Sequence, residues 1–148
     1  MPPTGSLQAI ADQLLQQTEA GRVTIRVDTA DDFFPVVAEA LAPGVRSFRD
    51  YSMAWVKHTT TPIYEVVSGE RKMLIQNDCE TDERRPPKEI IEEYGVRAQM
   101  LTPIVRQDRL AAILAVHDVR GPRNWTQENI SACEVAAEQI DARLGETT

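Results

Sequence analysis

Ala98-Gln-Met-Leu-Thr-Pro-Ile-Val-Arg106, then Gln107-Asp108, then Arg109-Leu-Ala-Ala-Ile-Leu-Ala-Val-His117 is the stretch on which the fold turns. Two apolar runs separated by one short polar pair predict a β-hairpin. The pair is neither Asn-Gly nor Asp-Gly, so the turn type stays open. Both runs are apolar at nearly every position, which predicts a sheet covered on both faces. Alternation divides the second run into Leu110, Ala112, Leu114 and Val116 on one face. Ala111, Ile113, Ala115 and His117 fall on the other. The first set is bulkier and suits packing under helices. The second is smaller and ends in a polar ring, which leaves room for a guest.

Downstream, Gly121-Pro122 breaks the chain and Asn124-Trp125-Thr126 opens a helix. Thr126 is placed as its N-cap, with Glu128 in the first turn, where a negative charge favours the helix dipole. Ile130, Cys133, Ala137, Ile140 and Leu144 recur at spacings of three, four, three and four, a narrow apolar seam, and Gly145 is the stop.

Upstream, Leu7, Ile10, Leu14 and Leu15 mark a helix from Ser6 to near Gly21. Its seam and the C-terminal one either bury only against the sheet or also build a dimer interface. Arg22 to Asp28 alternates, with Val23, Ile25 and Val27 on one face and Thr24 and Arg26 on the other. Phe33 to Leu41 reads as a second strand, with Pro35 arguing for an edge or a late start. Residues 45–58 show no period and hold Arg46, Phe48, Arg49, Tyr51, Trp55 and His58, the composition of a long functional loop. Thr59 to Pro62 caps a short helix through Val67 that Gly69 ends, Arg71 to Gln76 is a short strand, and Pro86-Pro87 opens a helix through Tyr94.

The 148 residues predict one domain over 1–148, with a core of about 6–145 and frayed ends at 1–5 and 146–148. A net charge of −7 without a basic stripe argues against nucleic acid, since Arg84-Arg85 directly follow Glu80, Asp82 and Glu83. No apolar run is long enough for a membrane span and no signal peptide opens the chain, so a cytoplasmic protein is expected. Two distant cysteines make no disulfide framework.

The order of elements, with Val67-Ser-Gly-Glu-Arg-Lys-Met-Leu-Ile-Gln-Asn-Asp78, the Leu101-Thr-Pro-Ile104 hairpin strand and Arg123-Asn-Trp-Thr126, resembles the GAF domain family from about Leu7 to Leu144. The resemblance implies an α+β, PAS-related fold. A central antiparallel sheet of five or six strands would carry the N- and C-terminal helices on one face. Short helices and loops on the other face would make a small-molecule pocket. It also implies homodimerisation through the terminal helices. Family members bind cyclic nucleotides, bilins, haem or small metabolites, or bind nothing known. The Asn-Lys…Phe…Asp-Glu pattern of cyclic-nucleotide binders is absent, because every Phe lies at or before Phe48. Cys79 is followed by Glu80, not the His common in phytochrome-type bilin binders.

These readings place Arg26, Tyr51, Trp55, His58, Asp78, Gln99 and His117 around an unidentified small molecule, with no cofactor specified. Arg26 either meets an anionic ligand or pairs with Glu39 on the neighbouring strand. Tyr51, Trp55 and Tyr64 either stack on a flat ligand or pack as a lid. Asp78 either accepts ligand hydrogen bonds or caps its loop. His58 and His117 show no metal-ligand spacing, so no metal is expected. The leading expectation is a sensory domain acting in trans on a regulatory partner protein. One alternative is a redox enzyme of the free-methionine sulfoxide reductase type using Cys79, whose acidic neighbours disfavour the thiolate. Another is a ligand-free dimeric interaction module.

Overall fold

The computed structural model describes residues 4–30, 33–51, 57 and 61–146. Five strands, β1 (Arg22–Val27), β2 (Val36–Leu41), β3 (Leu74–Gln76), β4 (Ala98–Arg106) and β5 (Arg109–Asp118), form one sheet in the order β2-β1-β5-β4-β3. Every pairing is antiparallel. The helices α1 (Thr4–Thr18) and α4 (Gln127–Gly145) lie together on one face. The helix α2 (Pro62–Tyr64), its π-helical continuation Glu65–Gly69 and the 45–51 segment cover the other. Helix α3 (Lys88–Glu92) adds to that cover through Ile91. The expected architecture, terminal helices on one side and short elements on the other, is therefore the observed one.

The β4–β5 hairpin fixes the layout. Gln107 and Asp108 have φ of 53° and 61°. Two left-handed residues in succession make the type I′ turn that suits strand twist, reached here without glycine. Arg71 braces it, with Nη1 donating to Asp108 Oδ1 at 2.8 Å and Nη2 to the Asp108 carbonyl at 2.7 Å. One expectation fails near this turn. The register slips between Ile104 and Val105, which pair with Ala112 and Leu110, so Ala111 is an extra residue in β5. A bulge inverts the alternation beyond it. Leu110 therefore joins the loop-face cluster, and Ala111 packs against the helix-face cluster.

On the helix face Ile25, Met100, Leu114 and Val116 meet Leu7, Leu14, Cys133 and Ile140 in one continuous apolar cluster. The α4 seam is wider than the five predicted positions, because Ala136 is buried while Ile130 and Ala137 are half-buried beside it. Thr126 caps α4 as expected, its Oγ1 accepting from Asn129 N at 3.1 Å. The Asn129 side chain closes the box by accepting from Thr126 N.

Several boundaries differ for local reasons. α1 stops at Thr18 because Glu19 turns left-handed at φ 53°. β2 begins only at Val36: Pro35 keeps Phe34 out of the sheet, and Phe34 instead packs in the loop-face cluster. β3 is limited to Leu74–Gln76, with Arg71 left-handed at φ 59° before it.

Candidate ligand-binding site

The helix face of the sheet is apolar, whereas the loop face carries buried polar side chains beside the apolar cluster of Leu74, Leu101, Ile113 and Ala115. One row across the loop face runs Gln76, Gln99, His117 and Arg22, each residue directly opposite the next on β3, β4, β5 and β1. All four are buried. Period-2 alternation puts Thr24 and Arg26 on the same face of β1 as Arg22, and both are buried too. Buried polar groups need partners, and the partners found here define the site.

At one end of the row Gln99 Nε2 donates to Gln76 Oε1 at 2.7 Å, and Gln76 Nε2 donates to the Arg84 carbonyl at 2.8 Å. At the other end Arg22 Nη1 lies 3.0 Å from His117 Nδ1. A guanidinium can only donate, so Nδ1 accepts and the imidazole proton sits on Nε2. Burial, then the charges of Arg22 and Arg26, holds the His117 pKa well below its ordinary 6.5, so the ring is neutral. Arg22 also ties down the cover, with Nε and Nη2 donating to the Arg46 carbonyl at 3.0 and 2.8 Å and Nη2 to the Tyr94 carbonyl at 2.9 Å.

Phe48 is the centre of that cover. Its ring lies 5.2 Å from Arg22 Cζ, 5.3 Å from Arg26 Cζ and edge-on to His117 at 5.3 Å. Tyr51 and Tyr94 pack on it with centroids at 5.5 and 4.8 Å. Glu39 pins the segment by accepting from Ser47 Oγ at 2.6 Å and Phe48 N at 2.8 Å. Arg26 thus does not pair with Glu39. Glu39 stands opposite Thr24, and Arg26 donates from Nη1 to the Phe34 carbonyl at 2.7 Å and from Nη2 to the Tyr51 carbonyl at 3.3 Å. Burial pulls both guanidiniums from 12.5 to about 10, against the opposite pull of Glu39, which leaves both charged at neutral pH.

Of the predicted site residues, Arg26, Gln99 and His117 share this face, and Tyr51 sits half-buried in its cover. Trp55 and His58 lie outside the described residues. Asp78 stands apart in the turn after β3, where its Oδ1 accepts from Glu80 N at 3.1 Å. Tyr64 packs beside the loop-face cluster. Sequence reading passed over Arg22 and Gln76. The available signal was the unbroken polar set Arg22, Thr24 and Arg26 on one side of a strand whose other side is apolar.

Cys79 is fully buried beneath the cover, and burial first, then Asp82 and Asp78, pushes its thiol up to about 12. Cys133 lies in the helix-face cluster on the other side of the sheet. Among the described residues no three His, Cys, Asp or Glu side chains converge as metal ligands. Nor, among them, is any helix long and apolar enough to cross a membrane. A hollow of about 140 Å³ near the hairpin turn is lined by Asp28, Arg106, Arg109 and Leu144, with Asp28 already facing Arg109 at 3.5 Å and Lys57 at 2.6 Å.

Where β5 ends, Asp118 gathers both terminal helices. Its carboxylate accepts from Arg120 at 3.0 Å and Arg123 at 3.1 Å. Those two guanidiniums also hold the carbonyls of Glu19 and Thr18 at the end of α1. Burial raises the Asp118 pKa, but the bonds from Arg120 and Arg123 outweigh it and hold the group below its ordinary 3.8.

Solved structures share this fold at low sequence identity. The GAF3 domain of Slr1393 from Synechocystis sp. PCC6803 superposes with a TM-score of 0.77 at 17% identity, covering 97% of this chain and 93% of that one. The PixJ GAF domain of Thermosynechococcus elongatus gives 0.71 at 17% identity, covering 94% and 84%. The chromophore-binding domain of the bacteriophytochrome RpBphP3 from R. palustris gives 0.72 at 21%, covering 96% of this chain and 55% of that one. At such identities the likeness is one of fold. No curated protein matches the sequence. The sequence matches the GAF domain family over residues 3–144, and the chain belongs to that family.

Proposed function

We propose that this chain is a small-molecule-binding sensory domain whose ligand sits on the loop-covered face of the sheet. Arg26, Gln99, His117 and Tyr51 form the contact set; Trp55, His58 and Asp78 are the further candidates from the sequence, to be tested by substitution. The observation that carries the reading is the row of buried polar side chains on that face. An apolar floor would stabilise a closed module better, because buried polar groups add little net stability even when paired. Structures of the same fold include a chromophore-binding domain of a bacteriophytochrome, which supports a sensory role. The ligand state is read in trans by a regulatory partner through α1 and α4. In this reading the chain works in the cytoplasm as a homodimer through these helices.

The redox alternative is less well supported. A nucleophilic thiolate needs a lowered pKa and access, and Cys79 has neither. The two thiols also lie on opposite faces of the sheet, so a recycling disulfide cannot close without unfolding.

The deciding experiment is a thermal-shift screen of chemically diverse metabolites against the wild type and Gln99→Leu. A ligand at a hundredfold its Kd stabilises the native state by about 2.7 kcal/mol. At least one compound should raise Tm in the wild type and do so much less in Gln99→Leu. No response to any charge class of compound would favour the closed interaction module. Light scattering of the same sample tests the homodimer.

A further inference from the structure

The two arginines of the loop face are satisfied very differently. Arg22 makes four hydrogen bonds, all to groups that build the site. Among the described residues Arg26 makes two, one of them long at 3.3 Å, and its Nε is buried with no partner. Thr24, the same-face residue between them, also has its Oγ1 buried without a partner. Two orphan polar atoms on adjacent same-face positions of one strand point to one missing group.

The charge of that group follows from the surroundings. Among the described residues neither guanidinium has a carboxylate in ion-pair contact. Glu39, whose charge acts on both guanidiniums, is engaged by Ser47 and Phe48. A buried cation without an anion in contact is costly. It is more notable in a chain of net charge −7, where acids are plentiful but none among the described residues is placed here. The Nε–Nη2 edge of a guanidinium is the one that grips a carboxylate or phosphate through two parallel hydrogen bonds. In Arg26 that edge carries only the weak bond to Tyr51.

We propose that the Nε–Nη2 edge of Arg26, together with Thr24 Oγ1, is an oxyanion subsite that receives the carboxylate or phosphate of a small organic ligand. This rests on the reading of the loop face as the ligand site. The anion exchanges the long Tyr51 contact for two charge-assisted bonds and takes a third from the Thr24 hydroxyl. Arg22 holds the Phe48 cover in place, so the Phe48 ring offers a flat wall to the rest of the ligand.

The test uses the full chain and four solutes at matched ionic strength. These are benzoate, inorganic phosphate, benzamide as the neutral counterpart of benzoate, and chloride. Benzoate or phosphate should raise Tm saturably by roughly 3 °C or more at millimolar concentration, and benzamide should not. Without anion, Arg26→Met should unfold at or above the wild-type temperature, because it removes an uncompensated charge. It should also lose the anion response. Arg22→Met should unfold well below the wild type. Arg26→Lys keeps the charge but not the fork, and Thr24→Val loses only the hydroxyl. Each should weaken anion binding by about tenfold, and both serve if Arg26→Met does not fold.

Three results would overturn the subsite. One is no saturable response to either anion. Another is an equal response in the wild type and the Arg26 variants. The third is an Arg26→Met protein as destabilised as Arg22→Met, which would make Arg26 a strut. Binding of neutral metabolites alone, at unchanged affinity in Arg26→Lys, would keep the domain a ligand binder and remove the anion from its specificity.

Discussion

The two faces of one sheet have been built to different rules. On the helix side, Ile25, Met100, Leu114 and Val116 meet α1 and α4 in a single apolar cluster that needs no specific partner chemistry. On the loop side, two smaller apolar clusters flank the row Gln76, Gln99, His117 and Arg22, whose own contacts are directional. The contrast shows where the chain gives up packing for placement. A hydrophobic face tolerates any well-fitting cover, whereas a buried polar face is stable only with its particular partners.

The sharpest way to break the contrast is a cavity on the oily side. Leu114→Ala, at a fully buried position, should cost about 3–4 kcal/mol in urea unfolding. Gln99→Leu on the polar side removes the donor to Gln76 and should cost only about 1–2 kcal/mol. Equal losses would mean that both faces are ordinary core.

Next in size is the join between the faces. Asp118→Asn should cost about 2 kcal/mol, since it leaves two guanidiniums without their shared anion. Deuterium exchange should rise at the end of α1 and the start of α4 together. A rise confined to β5 would show that Asp118 does not bind the helices to one another.

Acid should act on the polar side first. Because His117 is held well below 6.5 in the folded state, the unfolded chain binds the extra proton as pH falls past 6.5. The contribution of a neutral buried imidazole is therefore complete above 6.5. Below it, stability should fall by up to about 1.4 kcal/mol per pH unit until the folded ring itself titrates. His117→Gln should flatten that slope below pH 6.5, while the Asp118 contribution is lost only below 3.8. An unchanged slope would mean that the imidazole is not buried in solution. The smallest effect belongs to the helix side, where Thr126→Ala removes one half of the α4 capping box and should cost about 1 kcal/mol in the same unfolding assay.

How much of this could be read in the residues also differs between the faces. The helix side was legible because its signals are periodic and local. These include the 3.6-residue spacing in α4, the Thr126 cap and the clean alternation Val23, Ile25. The loop side was legible only in part. Arg26, Gln99 and His117 follow from alternation, and the structure brings them together. Arg22 was not recognised because a charged residue at a strand start usually points to water. Its burial depends on the Arg46 and Tyr94 carbonyls, which arrive from distant segments. The exchange of Leu110 for Ala111 was invisible for a related reason. A bulge belongs to the pairing of two strands, here the slip at Ile104 and Val105, and neither strand announces it alone.

One peptide bond in β5 joins these worlds. His117 and Asp118 are consecutive, so their side chains leave the strand in opposite directions. One touches the Arg22 guanidinium, and the other holds Arg120 and Arg123, which bond the Glu19 and Thr18 carbonyls at the tail of α1, with Arg123 also donating to Asn129 Oδ1 at the head of α4 at 3.3 Å. The loop face and the end of α1 thus hang on neighbouring residues of one strand, and a change in the backbone there would bear on both.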